Sequence, residues 1–275
     1  MQKVDLKPFT KIAWKSKEAK EIWAERILRI SRAYHNAEYL LVKKKIRPCA
    51  VIHISWNAGV DELIERITTD RLFYLPIRWS KKYSGFSHKH FFTQKGDPDS
   101  FIYGVLSYDL DYAKQFRDAE LGDHVNHEKI GELLGYPKCC TEAFIDRWSK
   151  GIFDPVFEAA EIVATKKEKI NGTEIIHATA HPYANPFLRY FGVRITSHLP
   201  CTIQCEETKK IGEKWIQAMR ELDEEAAKWA VEILSMPIKW SVLKGIVQVE
   251  TPLFFGITNS IFTEHKKEVW LNDRY

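Results

Sequence analysis

The order of apolar and polar positions predicts alternating helices and strands in the first part of the chain. From residue 16 to 43, apolar residues recur at alternating steps of four and three, which predicts a long helix with one buried stripe. Nearly continuous apolar runs rich in β-branched residues predict buried strands of a single sheet at residues 49–55, 72–78 and 101–107. Helical periodicity follows the first and third of these runs, and this alternation predicts an α/β core.

The second half has a different pattern, in which helices dominate. Helices are predicted to dominate residues 126–149, one of them starting near residue 141, and one long helix or two are predicted at residues 205–234. The tail that follows is predicted to form strands. The Asn171-Gly172 pair predicts a hairpin turn before a short strand. Residues 185–192 are predicted to form a short capped helix that leads into another strand.

These patterns together predict an α/β protein with a mixed sheet, flanking helices and a helical, cysteine-bearing second half. Residues 1–125 would form the α/β N-terminal part. Residues 126–275 would form the cysteine-motif part with C-terminal strands. The length of the chain suits one large domain or two intimately packed ones, and one compact unit is expected.

Composition and charge narrow the class of protein without naming a function. The chain has 275 residues, of which 45% are hydrophobic and 28% charged, and its formal net charge of +4 neither requires nor excludes an anionic partner. The first residues lack the apolar run of a signal peptide, and no stretch approaches the roughly 18 apolar residues of a membrane span. We therefore expect a cytoplasmic protein without a membrane partner. No glycine-rich phosphate loop follows a predicted strand, which removes support for a dinucleotide or P-loop fold.

Two pairs of cysteines stand out in a chain that contains only five. Cys139 and Cys140 follow a Tyr-Pro turn, Cys201 and Cys205 follow another proline, and each pair immediately precedes a predicted helix. The start of a helix has unpaired N–H groups and a partial positive charge, both of which favour the thiolate that binds metals. The fifth cysteine, Cys49, lies at the start of an apolar strand and is expected to be buried and inert.

The four paired cysteines could hold one zinc ion or one 4Fe–4S cluster. Side chains of adjacent residues diverge, which makes a small tetrahedral zinc site difficult and favours the wider iron–sulfur cluster. His198 could replace one cysteine as a ligand, and His124 and His127 are weaker candidates for the same site. Disulfides remain an alternative use of the cysteines, and inert packing is another.

Three segments resemble an uncharacterised prokaryotic family that carries Tyr-Pro-x-Cys-Cys and His-x-Pro-Cys-x-x-x-Cys motifs. They read LGYPKCC, NPFLRYFGV and HLPCTIQCEET, within residues 131–212. The family has no established activity. The resemblance implies that the four cysteines and His198 act as a unit with Asn185 and Arg189. These last two share a helix face, and Arg189 could bind an anionic substrate or face the negative charge of the cluster.

Two other functions remain open, as do the oligomeric state and whether the protein is an enzyme. Basic residues alternate with aromatic ones between residues 80 and 97, which suits RNA binding through Lys81, Lys82 and Lys89. In that case a zinc- or disulfide-stapled second half would be the scaffold of an RNA-binding or RNA-modifying protein. Alternatively, one cysteine is the nucleophile of a thiol enzyme, with His198 or His181 as its base.

Overall fold

The computed structural model describes residues 10–55, 60–81, 100–152, 155–259 and 265–272. Within these ranges the chain forms eight α-helices and ten strands, the strands lying in one mixed and one antiparallel sheet. The predicted mixed α/β class, with helices in the second half, is therefore confirmed. The described residues form two compact units. One contains residues up to 35 and from 146 onward, and the other contains residues 36–81 and 100–145. The predicted division at residue 125 stays a prediction.

The elements follow the predicted order closely. The strands are β1 (Thr10–Trp14), β2 (Cys49–Ser55), β3 (Phe73–Lys81), β4 (Ser100–Ser107), β5 (Lys166–Ile170), β6 (Thr173–Ala178), β7 (Ile238–Leu243), β8 (Ile246–Glu250), β9 (Phe254–Asn259) and β10 (Lys267–Leu271). The helices are α1 (Lys17–Lys43), α2 (Val60–Thr69), α3 (Leu110–Leu121), α4 (His127–Leu133), α5 (Lys138–Ser149), α6 (Pro155–Glu161), α7 (Glu206–Leu222) and α8 (Glu224–Leu234). None of the described helices is both long and apolar enough to cross a bilayer.

The smaller unit is built on the three strands predicted for the first half. They form an antiparallel sheet in the order β2-β4-β3, which confirms that the three apolar runs pair with one another. Successive residues of a strand point to opposite faces, so Cys49 and Ala50 join two different apolar clusters. Tyr39 and Val42 of α1 pack in the cluster with Ala50, and Phe116 of α3 packs in the cluster with Cys49.

The larger unit contains a seven-stranded sheet in the order β1-β9-β8-β7-β10-β6-β5. Only the β10–β6 pair is parallel among these described strands. The Asn171-Gly172 turn joins β5 to β6 as predicted, with both residues at positive φ, 49° and 80°, as a type I′ hairpin requires. Trp240 of β7 is fully buried and meets the edge of Phe187, with ring centroids 5.8 Å apart.

Two local expectations differ from the structure. Helix α5 begins at Lys138, whereas the sequence predicts a start near Thr141, after the cysteine pair. At residues 205–234, where one long helix or two were predicted, there are two, divided at Asp223, whose extended φ of −160° ends α7 and whose side chain caps α8. Residues 185–192 contain a single turn of 3-10 helix, Arg189–Phe191, and no strand follows it before residue 200. Local bonds such as Phe187 N–H to Asn185 Oδ1 satisfy the backbone there, so this buried segment needs no regular element.

Candidate metal centre

The first cysteine pair lies in the first turn of α5. Gly135 adopts a positive φ of 66° and ends α4, after which Tyr136 and Pro137 turn the chain. The Pro137 carbonyl then accepts hydrogen bonds from the N–H groups of Cys140 and Thr141, both at 3.0 Å, and so starts α5. The two cysteines therefore lie at the positive end of the helix, which favours their thiolate forms.

Close packing between α4 and α5 fixes the position of this first turn. Gly131 of α4 faces the Thr141 side chain so closely that a methyl group at residue 131 would overlap it. Leu133 and Leu134, at the end of α4, pack in the apolar cluster that contains Phe116. Packing within the smaller unit therefore fixes the start of α5 and the positions of the two cysteines in its first turn.

The second cysteine pair lies in the loop that leads into α7. Ile203, between the two cysteines, is completely buried, and its N–H donates to the Ala159 carbonyl at 3.1 Å. Its own carbonyl accepts the N–H of His181 at 3.0 Å. Cys205 is the N-cap residue of α7, and its sulfur accepts the N–H of Thr208 at 3.5 Å. An N-cap sulfur with this donor is well placed to carry negative charge.

The two pairs converge. The sulfurs of Cys139, Cys140, Cys201 and Cys205 all lie within 4.8 Å of one another, and we call this group the four-cysteine centre. The two sulfurs of the adjacent pair are 3.9 Å apart. Cys140 and Cys205 are buried, whereas the other two are partly exposed, and no disulfide joins the described cysteines. The prediction that the pairs meet in space is confirmed, and the sulfurs are close enough to bind a metal ion.

A buried arginine, which the sequence interpretation did not include, supports the second pair. The side chain of Arg147, in the last turn of α5, donates from Nη2 to the Cys201 carbonyl at 2.6 Å and from Nη1 to the Pro155 carbonyl at 3.5 Å. The residue is 8% exposed. Arg147 follows Cys140 by seven residues, so both lie on one helix face. This seven-residue spacing could have indicated from the sequence that Arg147 lies on the same side of α5 as Cys140.

His198 is buried beside the centre without being one of the four clustered ligands. Its Nε2 is 2.9 Å from the Thr208 hydroxyl, in the residue whose N–H donates to the Cys205 sulfur. Thr208 thus connects His198 to the centre. Thr208 lies three residues after the N-cap cysteine, and this spacing could have indicated its contact with the Cys205 sulfur from the sequence. A role for His198 as a ligand stays a prediction.

The remaining histidines and Cys49 have separate environments. His181 caps a short 3-10 helix, its Nδ1 accepting the Tyr183 N–H at 3.2 Å, and burial lowers its pKa. Burial also lowers the pKa of His127, whose ring meets Phe144 edge-on at 5.3 Å, whereas His124 is exposed. Cys49 is fully buried as predicted, and burial raises its pKa to about 11. Such a thiol is unreactive at neutral pH.

The candidate substrate residues have different surroundings. The Asn185 side chain is buried and engaged with the main chain, donating to the Leu234 carbonyl at 2.8 Å and accepting the Phe187 N–H at 3.1 Å. It thus holds its segment in place. Arg189 lines a small cleft that Asn185 and His198 also border. Strand β3 ends at Lys81, and the other two candidate RNA-binding lysines, Lys82 and Lys89, lie outside the described residues.

The comparison with known protein families gave a match in the middle of the chain. Residues 106–229 match the model of a family described as Protein of unknown function (DUF483). The predicted resemblance to an uncharacterised family is confirmed. This match includes the four-cysteine centre, His198, Asn185 and Arg189, but the family description assigns none of them a role. No curated protein and no solved structure matches the chain.

Proposed function

We propose that the four-cysteine centre binds a single zinc ion as a tetrathiolate. The observation that carries this proposal is the mutual distance of the four sulfurs, all within 4.8 Å. Zinc–sulfur bonds of about 2.3 Å in a tetrahedron place the sulfurs about 3.8 Å apart. The adjacent pair, at 3.9 Å, already has the spacing of one tetrahedral edge. Only small movements of the remaining side chains are needed to close the site.

The same distances favour a single ion over the 4Fe–4S cluster preferred from the sequence. A cluster places four irons and their bridging sulfides between the thiolates, which spreads the thiolates further apart than one ion does. Adjacent cysteine side chains were expected to diverge too far for a zinc site. The sulfurs of Cys139 and Cys140, in the first turn of α5, are 3.9 Å apart and so remain close enough for zinc. The iron–sulfur centre is the alternative that metal analysis must test.

The role that fits this coordination is structural. Four protein ligands leave no open position for a substrate or an activated water, which is the arrangement of structural zinc sites. The ion would join the first turn of α5 to the loop before α7. The Thr208 N–H at the Cys205 sulfur would offset part of the negative charge of four thiolates. Metal binding at such a site contributes directly to folding free energy.

Metal analysis of protein purified without oxygen tests the proposal. We expect one zinc per chain, no visible colour, and a tetrahedral thiolate spectrum after cobalt substitution. Serine at any of the four positions should abolish stoichiometric zinc binding. The matched control is Cys49→Ala, which removes a thiol outside the centre and should retain one zinc.

Two results would contradict zinc binding. About four irons with acid-labile sulfide per chain would assign the centre to iron–sulfur instead. A chain that binds no metal and keeps its unfolding temperature in the presence of a chelator would remove both metal proposals. Loss of an activity on alkylation of that metal-free protein would then support the thiol enzyme.

The candidate nucleophiles of a thiol enzyme are the same four cysteines that would bind the metal. The thiol enzyme and the metal centre are therefore alternatives. The cytoplasmic location expected from the sequence remains a prediction, and it accords with reduced thiols. RNA binding also remains a prediction, because its candidate segment lies mostly outside the described residues.

A further inference from the structure

A small polar cleft lies next to the loop that carries the second cysteine pair. Its cavity volume is about 10 Å³, roughly the room of one water molecule, and it is partly open to solvent. Its polar and loop-forming residues are Asn185, Arg189, Arg194, Thr196, His198 and Pro200. No carboxylate side chain is among the residues that line it, although two arginines are.

The first arginine has a buried donor that the described protein groups leave unsatisfied. The Nε of Arg189 is inaccessible to solvent and has no hydrogen-bond partner in the described part of the chain. Its guanidinium carbon lies 5.4 Å from the centroid of the Tyr190 ring. A buried N–H without an acceptor is unfavourable, so native proteins seldom leave one without a partner.

The second arginine is held rigidly by aromatic stacking. The guanidinium of Arg194 lies 4.3 Å from the centroid of Tyr34, and that ring stacks on Trp215 with centroids 4.9 Å apart. Stacking uses the face of the guanidinium and leaves its N–H edge available for an acceptor. Neither arginine forms an ion pair with a carboxylate within the described ranges.

The Thr196 hydroxyl adds no donor to the cleft, because it donates to the Tyr183 carbonyl at 3.3 Å. An anion in the cleft would therefore be held by the two arginines. Phe191, two residues after Arg189, packs over Gly256 of β9 and anchors the 3-10 turn. Two guanidinium groups thus border the same small space, and no carboxylate is among the residues that line it.

We propose that this cleft binds a small oxyanion, the phosphate or carboxylate head group of a soluble ligand. Guanidinium forks match the oxygen geometry of both groups and form strong charge-assisted hydrogen bonds with them. Because the enclosed part of the cleft has room for about one water, the oxyanion would lie at its solvent-open side and the rest of the ligand would extend into solvent. The proposal does not depend on a metal, because none of the groups that carry it belongs to the four-cysteine centre.

Calorimetric titration of the full chain, purified with its metal, tests the site. Inorganic phosphate and acetate are the probes, with sodium chloride at equal ionic strength as the blank. We expect saturable one-to-one binding, tighter for phosphate if the natural group is phosphoryl and tighter for acetate if it is carboxylate. Arg189→Gln and Arg194→Gln should each weaken binding about tenfold or more.

Two further variants keep the test independent of folding. Arg189→Lys retains the charge but loses the fork, and it should weaken phosphate binding while the unfolding temperature stays unchanged. Arg220→Gln, an exposed arginine in the last turn of α7, should bind as the parent does. Absence of saturable binding to both probes would overturn the proposal. Equal loss in Arg220→Gln and Arg189→Gln would also overturn it, because the binding would then be nonspecific. Zinc content measured on the same samples reports separately on the metal centre.

Discussion

Replacing Arg147 with methionine tests whether a buried guanidinium positions Cys201 for metal binding. Methionine keeps the apolar volume of the stem but removes both hydrogen bonds, to the carbonyls of Cys201 and Pro155. The shorter of these, at 2.6 Å, is charge-assisted, and bonds of that kind contribute about 1.5–3 kcal/mol. If the full loss appears in metal binding, zinc affinity falls about 10- to 150-fold. Outer-shell partners of metal ligands typically account for about 10- to 100-fold.

Competition with a chromogenic chelator measures the zinc dissociation constant of each variant. Urea unfolding of the metal-free proteins separates an effect on the metal from a general loss of stability. Arg220→Met removes an exposed arginine and is the matched control, for which we expect no change in affinity. Arg147→Lys should recover only part of the loss, since one ammonium cannot reproduce the fork. A zinc affinity in Arg147→Met within twofold of the parent would refute this role of the Cys201 carbonyl bond.

Two other predictions concern stability and RNA binding. Arg29 donates two hydrogen bonds to the Asp223 carboxylate and thereby lowers the pKa of Asp223. The ionised carboxylate therefore stabilises the fold fully at pH values above the ordinary carboxyl pKa, and this stabilisation is lost as the pH falls through the lowered pKa of the folded protein. Asp223→Ala should therefore reduce the free energy of unfolding by about 0.5–2 kcal/mol at pH 7. Urea unfolding at several pH values should show that the parent and the variant become more alike in acid. A difference in unfolding free energy that does not change with pH would contradict this. Replacing Lys81, Lys82 and Lys89 with glutamate should weaken RNA binding and flatten its salt dependence, and a parent chain that binds no RNA at low salt would remove that function.

The elements of the smaller sheet could be predicted because their signals are local. Strand β2 follows from the continuous apolar run at Cys49–Ser55, and the α4 N-cap follows from Asn126, whose side chain accepts the Lys129 N–H. The start of α5 could not be placed as well. A proline disfavours helix before it, but its carbonyl can still accept the first helical hydrogen bonds. Here the Pro137 carbonyl does so and draws both cysteines into the helix.

The convergence of the cysteine pairs was predictable from their matching proline and helix-start settings, but their spacing was not. Whether adjacent sulfurs lie near 4 Å depends on χ1 angles that sequence does not determine. Arg194 is a clearer case. Its place in the cleft depends on stacking with Tyr34, a residue of α1 that is 160 positions earlier in the sequence. No periodicity links two such distant residues, so the second arginine of the cleft was found only in the structure.

Strand β10 lies between β7 and β6 in the seven-stranded sheet, although it is the last of the described strands in sequence. During synthesis, the β5–β6 hairpin and the β7–β8 hairpin leave the ribosome before the strand that joins them exists. Until then, the edges of β6 and β7 are unpaired, and open strand edges invite pairing with other chains. The sheet can close only after residue 271 has emerged. The nascent chain therefore passes through an interval in which two strand edges are open to pairing with other chains and to aggregation.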